Sequence, residues 1–358
     1  MTKFRDKTYE ERLSEIAGQN KELMSTYLKY VNSELSNITE NYISSFPVPI
    51  GILRELKVNN KTYIVPIATE EPSVVAAANK GAKMLGNVTV THEVPTYKLV
   101  QILSTDKNII DFTKNYEQEI IDVANNSFPS IVQRGGGALF VQTREINDQY
   151  FSIHIQVDTK DAMGANIVNT MGEAVANFYK ENKIDVVTSI VSNLNLGAVF
   201  KASTQIKLDL DVLKKIKELA DFGQLDIYRA STENKGFLNG AAGVVLATGN
   251  DWRSFEAGAH AYASLNGQYK SFTTYQIDLK NNQLVLSAEI PVSLGTVGGS
   301  IQSHPIALAN LKLLKVQSAD ELSSIVIATG LAQTFAAMYA LVTTGIQSGH
   351  MKMQKRLN

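Results

Sequence analysis

Cysteine is absent from this sequence of 358 residues. Its absence excludes disulfide bonds, thiolate catalysis and cysteine-ligated metal sites. Five histidines are present, but no two of them have the spacing of a metal-binding pair, so we expect no metal. The formal net charge of only −1 gives no overall attraction to nucleic acid, so we expect no nucleic-acid partner.

Secretion and membrane signals are missing as well. Residues 1–13 are rich in charge and lack the apolar core of a signal peptide, so we expect a cytoplasmic protein. The most apolar long run, Ile325 to Val342, contains Thr329, Gln333 and Thr334. It is therefore predicted to be a buried helix and not a membrane span.

The pattern of helices and strands predicts an α+β fold in two parts. Hydrophobic residues make up 44% of the chain, enough for a large core, and the length favours two domains. Between residues 97 and 192 the predicted elements follow the order β-α-β-β-α-β, which is the ferredoxin-like plan. We therefore expect a large mixed helical domain in residues 1–104 and 194–345, with a small domain inserted as residues 105–193.

The stretch from Asp226 to Ala263 is the main candidate for a functional centre. It places Lys235 among small and polar residues, and Asp251 follows sixteen residues later. The run VVLAT between them is predicted to be a buried strand, followed by a helix from Trp252. A lysine on a loop and an aspartate after a strand could face one crevice. The alternative is a solvated lysine and a helix-capping aspartate.

Two other helix openings carry candidate residues. Glu70 and Glu71 precede a predicted helix, where a carboxylate is either a plain cap or a proton donor. Residues 161–166, DAMGAN, open a second helix that includes Gly164, and a helical glycine costs about 1 kcal/mol relative to alanine. A close ligand would explain it, and a helix N-terminus suits a nucleotide diphosphate, although the chain has no G-x-G-x-x-G fingerprint. Glycines 135–137 are candidates for the same site or for a flexible turn.

Five motifs, taken in order, resemble those of class II, bacterial-type 3-hydroxy-3-methylglutaryl-coenzyme A reductase. They are VPIATEEPSVVAAA, VDTKDAMGANIVNTMGEA, YRASTENKGFLNG, VVLATGNDWRSFEAGAHAYA and GIQSGHM. The segment ENYIS also resembles the family's dimer-forming segment. The resemblance implies a homodimer with shared active sites, and a small domain that binds the nucleotide. It also implies reduction of 3-hydroxy-3-methylglutaryl-CoA to mevalonate and CoA with two NAD(P)H, the step that leads to isoprenoid precursors.

The resemblance further implies a role for each matching residue. Lys235 would polarise the carbonyl, Glu71 would supply protons to its oxygen, and Asp251 would lie between the two. His350 would protonate the departing CoA thiolate. The remaining site residues would be Ser73, Arg229 and Asn239 for the hydroxymethylglutaryl group, and Asp161, Met163, Gly164 and Asn166 for the dinucleotide.

The sequence departs from the family pattern in three places. Thr334 stands where relatives carry Asn, and Glu233 replaces a common His beside Lys235. The chain also ends soon after His350, so residues 346–358 would form a stub of the family's mobile C-terminal flap. Two alternatives therefore stay open: a form that binds CoA ester and dinucleotide with little turnover, and a lyase that forms a Schiff base on Lys235.

The choice between NADPH and NADH depends on the residues after Gly137. An acidic residue there would bind the ribose hydroxyls and favour NADH. Ala138, Leu139 and Phe140 include no acid, and Arg144 lies nearby in sequence. The sequence leans towards NADPH and leaves NADH open.

Overall fold

The computed structural model describes residues 3–345, which form two β-sheets with helices packed against them. Residues 346–358, including His350, lie outside the described residues. The mixture of helices and two separate sheets confirms the predicted α+β class.

The larger sheet has six strands in the order β2-β1-β3-β8-β10-β9. The turn between the first two strands is Asn59-Asn60, with both residues at positive φ, as a tight hairpin turn requires. The sequence predicts a hairpin over residues 58–67 with these asparagines as its turn, and the structure confirms it. The strands of the sheet are β1 (Ile50–Val58), β2 (Lys61–Ala68), β3 (Asn87–His92), β8 (Val199–Lys207), β9 (Thr273–Asp278) and β10 (Gln283–Pro291).

The helices of the larger part cover this sheet and bury its apolar residues. The last of them runs through the centre of the core. Its buried residues extend from Ala319 to Met338, so it is a core helix, as the sequence predicted, although it is apolar and long enough to cross a membrane. The helices are α1 (Tyr9–Ala17), α2 (Lys21–Lys29), α3 (Val74–Leu85), α8 (Leu210–Leu225), α9 (Ile227–Ala247), α10 (Trp252–Ala263), α11 (Pro305–Leu314) and α12 (Ala319–Val342).

The smaller sheet has four strands in the order β5-β6-β4-β7, and all neighbouring strands are antiparallel. With the helices between them, the chain order is the predicted β-α-β-β-α-β plan. The sheet includes β4, which lies before residue 105, where the sequence predicts that the small domain begins. Its elements are β4 (Lys98–Ser104), α4 (Asn108–Asn115), α5 (Glu117–Ser127), α6 (Pro129–Gln133), β5 (Gly137–Glu145), β6 (Phe151–Asp158), α7 (Ala165–Glu181) and β7 (Thr188–Val191).

The prediction of a strand in VVLAT is wrong, because residues 244–247 complete α9 and Thr248 is its C-cap. A short apolar run fits a buried strand and a buried helix equally well. Here Asp226 caps the helix start by accepting a hydrogen bond from the Arg229 backbone N–H, and the helix continues to Ala247. Lys235 therefore lies on a helix and not on a loop.

Candidate active site

A cavity of about 440 Å³ opens between the start of α3, the middle of α9 and the second half of α12. Its walls are largely the small side chains of α3 and α12, and its polar groups come from all three helices. Five of the residues predicted for the site line it, namely Glu71, Ser73, Arg229, Lys235 and Asn239.

The three helices approach each other closely because glycine and alanine stand where they cross. A Cβ atom at Gly81 of α3 would lie 1.9 Å from the backbone oxygen of Ala332 in α12. A Cβ atom at Gly330 of α12 would lie 2.3 Å from the ring of Phe237 in α9. Neither position can hold a larger residue without moving a helix, so these contacts fix the shape of the cavity.

Lys235 and Glu71 form an ion pair at the mouth of the cavity. Their side chains are 60% and 37% exposed, so a ligand can reach both groups. Glu71 is held by its backbone N–H, which donates to Thr69 Oγ1 at 3.1 Å. The pair places an ammonium and a carboxyl group side by side, and together they can stabilise a developing oxyanion and supply a proton to it.

Ser73 lies in a strained backbone conformation beside this pair. Its φ of 76° is in the left-handed region, which costs a non-glycine residue about 1–3 kcal/mol. It occupies the N-cap of α3 but makes no capping bond, and its buried Oγ has no partner among the described residues. Strain and an unpaired hydroxyl at the same residue indicate a group held ready for a ligand.

Arg229 and Glu233, one turn apart on α9, form a buried ion pair in the cavity wall. Arg229 Nη2 lies 3.1 Å from Glu233 Oε2, and the two side chains are 10% and 2% exposed. The other carboxylate oxygen accepts hydrogen bonds from Thr273 and Tyr275. Burial raises the pKa of Glu233, and the nearby hydrogen bonds and Arg229 oppose that shift. Arg229 Nε is buried without a partner among the described residues.

Sequence reasoning did not assign Gln333 to the site. Its Oε1 is buried in the cavity wall and has no partner among the residues described. The neighbouring Thr334 also lines the cavity, and its hydroxyl donates to the Glu233 backbone oxygen at 3.4 Å. Two polar residues inside a long apolar helix were the available signal.

The predicted dinucleotide residues lie together in the turn before α7. Gly164 is the N-cap of α7 at φ 78°, and a Cβ atom there would lie 2.6 Å from Thr159. The first N–H groups of α7 receive no side-chain cap, and Asn166 is exposed on the first turn. The left-handed backbone and the close approach of Thr159 require glycine at this position, and the uncapped N–H groups that follow are of the kind that binds an anion.

Asp161 and Met163 fasten this turn to the larger part of the molecule. Asp161 Oδ1 accepts a hydrogen bond of 2.7 Å from the backbone N–H of Ala319, at the start of α12. Met163 N donates to Val297 O at 3.2 Å. In this structure Oδ1 of the Asp161 carboxylate thus makes a structural contact.

The buried Lys98, which sequence reasoning also missed, supports the turn from beneath. Its ammonium donates to the backbone oxygens of Met163 and Ala162. Burial lowers the pKa of Lys98 to about 7. A lysine at the start of a strand gave no sequence signal, because only the fold shows that it is enclosed.

Asp251 does not lie between Glu71 and Lys235 within one chain. It is the N-cap of α10, and its Oδ1 accepts hydrogen bonds from the Arg253 and Ser254 backbone N–H groups. Lys235 precedes the end of α9 by twelve residues, which corresponds to roughly 18 Å along a helix. The rigid helix therefore separates the two residues that the sequence placed in one crevice.

Asp251 instead lies at the same end of the molecule as the dinucleotide turn. The preceding residue, Asn250, exchanges hydrogen bonds with the backbone of Gly295 at 2.8 and 3.0 Å. A Cβ atom at Gly295 would lie 2.2 Å from Met163 N, so the loop of Gly295 contacts both regions. The chain therefore carries two separate groups of candidate residues, which we call the cavity half-site (Glu71, Ser73, Arg229, Lys235, Asn239) and the turn half-site (Asp161, Met163, Gly164, Asn166, Asp251).

Comparisons with known proteins agree with this architecture. Residues 6–355 match the family model of hydroxymethylglutaryl-coenzyme A reductase. The 3-hydroxy-3-methylglutaryl-coenzyme A reductase of Archaeoglobus fulgidus is 39% identical over 88% of this chain and 76% of its own length. A probable reductase of the same name from Borreliella burgdorferi is 37% identical over 89% of this chain and 77% of its own length.

Solved structures of similar sequence have the same fold. A 3-hydroxy-3-methylglutaryl-coenzyme A reductase from Streptococcus pneumoniae superposes with a TM-score of 0.84 at 36% identity, covering 98% of this chain and 89% of that one. The class II enzyme from that organism, bound to NADPH in open conformations, gives a TM-score of 0.83 at 34% identity over 95% and 99% of the two chains.

The fold and the site thus define an oxidoreductase with a lysine–carboxylate pair in a helical cavity. The chain belongs to the hydroxymethylglutaryl-coenzyme A reductase family, in its class II form.

Proposed function

We propose that this protein reduces 3-hydroxy-3-methylglutaryl-CoA to mevalonate and CoA, consuming two NAD(P)H in a four-electron reaction. The observation that supports this most directly is the Lys235–Glu71 ion pair at the mouth of a cavity that also contains Arg229. The ion pair suits a carbonyl that becomes an oxyanion, and the arginine suits the free carboxylate of the substrate.

The proposed chemistry uses the ion pair twice. In each reduction a hydride adds to the carbonyl carbon, and negative charge develops on the oxygen. The ammonium of Lys235 stabilises that oxygen more strongly in the transition state than in the substrate, which lowers the barrier. In each round Glu71 takes up a proton from solvent and passes it to the oxygen. Between the two reductions the carbon–sulfur bond of mevaldyl-CoA breaks, and the predicted donor to the CoA thiolate, His350, lies outside the described residues.

The unpaired polar atoms of the cavity support binding of a polar acyl group. Arg229 Nε, Ser73 Oγ and Gln333 Oε1 are all buried without partners among the described residues. A buried polar group without a partner costs about 1–3 kcal/mol, so a ligand that satisfies all three gains affinity and orientation. The hydroxyl and carboxylate of the hydroxymethylglutaryl group can bind to these three atoms. Asn239 in the cavity wall offers a further polar contact.

The turn half-site fits a dinucleotide, which would supply the hydride when bound. The uncapped N-terminus of α7 suits a diphosphate. Ala138, Leu139 and Phe140 in β5 offer no carboxylate to a ribose hydroxyl. We therefore favour NADPH over NADH, while both can bind.

The separation of the two half-sites supports a homodimer with shared active sites. Reacting atoms must come within about 3–3.5 Å of each other. Asp161 bonds the dinucleotide turn to Ala319, the first residue of α12, whereas the cavity residues of α12 lie about 20–30 Å further along that helix. The cavity half-site of one subunit would then face the turn half-site of its partner. Asp251 would reach the Lys235–Glu71 pair in the same way.

Two competing hypotheses are separable from this one. A lyase needs a neutral amine on Lys235 to form a Schiff base, whereas Lys235 is held in an ion pair with Glu71. Borohydride trapping of substrate on Lys235 would support the lyase. Tight binding of both ligands without reduction would support a form with little turnover.

The direct test is to follow oxidation of NADPH, and separately of NADH, when 3-hydroxy-3-methylglutaryl-CoA is added to the protein. We expect two nucleotides oxidised for each CoA released. Nucleotide oxidation without CoA release, or no oxidation with either nucleotide, would contradict the proposed function. The cytoplasmic location expected from the charged N-terminus remains a prediction.

A further inference from the structure

Glu233 is the feature of the cavity wall that the proposed chemistry does not use. Its carboxylate is 2% exposed and has defined contacts on both oxygens. Oε2 pairs with Arg229, while Thr273 and Tyr275 of β9 donate to Oε1. On the side of α8 the space is filled, since a Cβ atom at Gly223 would lie 2.9 Å from Oε2. Glu233 therefore cannot swing away when a ligand arrives.

Among residues 3–345, Arg229 is the cation that faces Glu233. The groups around the carboxylate are Arg229 on its own helix, Thr273 and Tyr275 on β9, and Ser271 just before that strand. Tyr275 is neutral near pH 7, because burial raises its pKa well above the usual value. Met338 of α12 contributes an uncharged sulfur, 3.3 Å from Arg229 Nη2. The positive charge of one guanidinium thus balances a single carboxylate.

A ligand carboxylate at Arg229 changes this balance. The buried Nε of Arg229 still lacks a partner among the described residues, so the guanidinium can bind a second anion. Two carboxylates would then share one positive charge, and one of them, Glu233, is buried in the cavity wall. Like charges at such a distance favour protonation of one of the two. Glu233 is the better proton acceptor of the pair, because it is enclosed whereas the ligand lies in an open cavity.

We propose that Glu233 couples binding of a carboxylate-bearing acyl-CoA at Arg229 to uptake of a proton. In the free protein Glu233 is the anion that balances Arg229. When the ligand carboxylate takes over that role, Glu233 binds one proton from solvent and stays in place as a neutral acid. No bond other than this O–H bond is formed or broken. Glu233 thereby acts as a specificity-determining residue, since acyl-CoA esters without a free carboxylate do not cause Glu233 to take up a proton. The inference rests on the proposed function of the cavity.

The coupling predicts how affinity depends on pH. Because binding takes up a proton, the affinity for 3-hydroxy-3-methylglutaryl-CoA must fall as pH rises, by up to about tenfold per pH unit where Glu233 is ionised in the free protein. The affinity for butyryl-CoA, which carries the same CoA phosphates but no free carboxylate, should lack this dependence. Subtracting the pH dependence measured with butyryl-CoA from that measured with 3-hydroxy-3-methylglutaryl-CoA therefore removes the contribution of the phosphates.

Calorimetry without dinucleotide tests the proposal on the intact protein. Binding enthalpies are measured in Pipes and in Tris at one pH, and their difference gives the number of protons taken up. We expect more protons for 3-hydroxy-3-methylglutaryl-CoA than for butyryl-CoA in the wild type, and equal numbers for both ligands in Glu233→Gln. The variant should also bind 3-hydroxy-3-methylglutaryl-CoA with an affinity that no longer falls with pH.

Several results would overturn the coupling. Equal proton uptake for both ligands in the wild type would refute it without any variant, even if Glu233→Gln does not fold. An excess uptake that persists in Glu233→Gln would refute the assignment to Glu233. In both cases the reductase assay can still succeed, so the proposed function survives. A wild type that neither binds nor reduces 3-hydroxy-3-methylglutaryl-CoA would refute the proposed function and this coupling together.

Discussion

The cavity half-site presents mainly side chains, whereas the turn half-site presents mainly backbone groups. The cavity half-site consists of side chains on three helices, with charged groups at its mouth and in its wall. The turn half-site consists mainly of backbone, namely the uncapped start of α7 and the glycine that opens it. Even its one aspartate before α7, Asp161, is bonded to the start of α12.

The difference indicates a division of labour. Side chains with fixed charges act on a developing charge, so the cavity half-site suits the chemical step. Backbone N–H groups at a helix start recognise phosphate without changing charge, so the turn half-site suits binding. Substitutions in the two half-sites should therefore affect different measurements, and the following predictions test that separation.

Lys235→Ala should have the largest effect. Losing the group that stabilises the oxyanion should lower kcat by about 10²–10³-fold or more, with NADPH binding and the fold unchanged. Steady-state assays of the reduction measure kcat, and titration with NADPH measures dinucleotide binding. The matched control is Lys61→Ala, which removes the Lys61–Glu321 ion pair outside the cavity. Normal turnover in Lys235→Ala would contradict the role of the ion pair.

Gly164→Ala should weaken NADPH binding by roughly tenfold or more, because alanine is strained at φ 78° and its Cβ would meet Thr159. Binding of 3-hydroxy-3-methylglutaryl-CoA should stay the same. Gly267→Ala is the control, since Gly267 has a φ of 82° but no atom within 4 Å of the added Cβ. If both variants bind NADPH equally well, the turn is not the dinucleotide site.

Gly81→Ala should destabilise the protein by about 1–3 kcal/mol, because the new methyl group would overlap the Ala332 backbone. Urea unfolding measures the change. In contrast, Gly236→Ala on α9 adds a methyl group with no neighbour within 4 Å and should stabilise the helix by up to about 1 kcal/mol. Equal effects at both positions would show that helix packing does not set the cavity.

The smallest effect concerns His154 in β6 of the small domain. Burial, aided by Arg144, lowers its pKa to about 4, below the value near 6.5 of an unfolded chain. Between these values the unfolded state binds more protons, so stability must fall as pH decreases from about 6.5 to 4. His154→Gln can still bond Gln101 but cannot titrate. Unfolding at pH 6.5 and 5 should show a smaller acid loss in the variant, and an equal loss would contradict the account.

Most of the fold could be predicted from the sequence, because alternation and turn residues report local structure. The small sheet was predicted from the alternation of Phe151, Ile153 and Ile155, and the Asn59-Asn60 hairpin from its turn residues. The strand predicted in VVLAT is wrong because the local residue types were misleading there. Glycines such as Gly240 and Gly243 are typical of sharp turns, yet here they are helical and admit Gln333 and Ile67 from neighbouring elements.

The site itself could be predicted only in part. Motifs identified the residues of the cavity half-site, since each lies in a short characteristic segment. Their order along the chain suggested that Asp251 joins Lys235, but the length of α9 prevents this within one chain. Glu233 and Lys98 carried no signal for their buried roles, because burial of a charged side chain depends on elements distant in sequence.

The central claim is that one active site needs two chains, and mixed dimers test it most directly. Lys235→Ala and Asp251→Ala should each be inactive as homodimers. After unfolding and refolding an equal mixture, half of the dimers would be mixed, each with one complete site of two, so about a quarter of wild-type activity should return. A mixture that stays inactive, although mixed dimers form, would contradict the shared site.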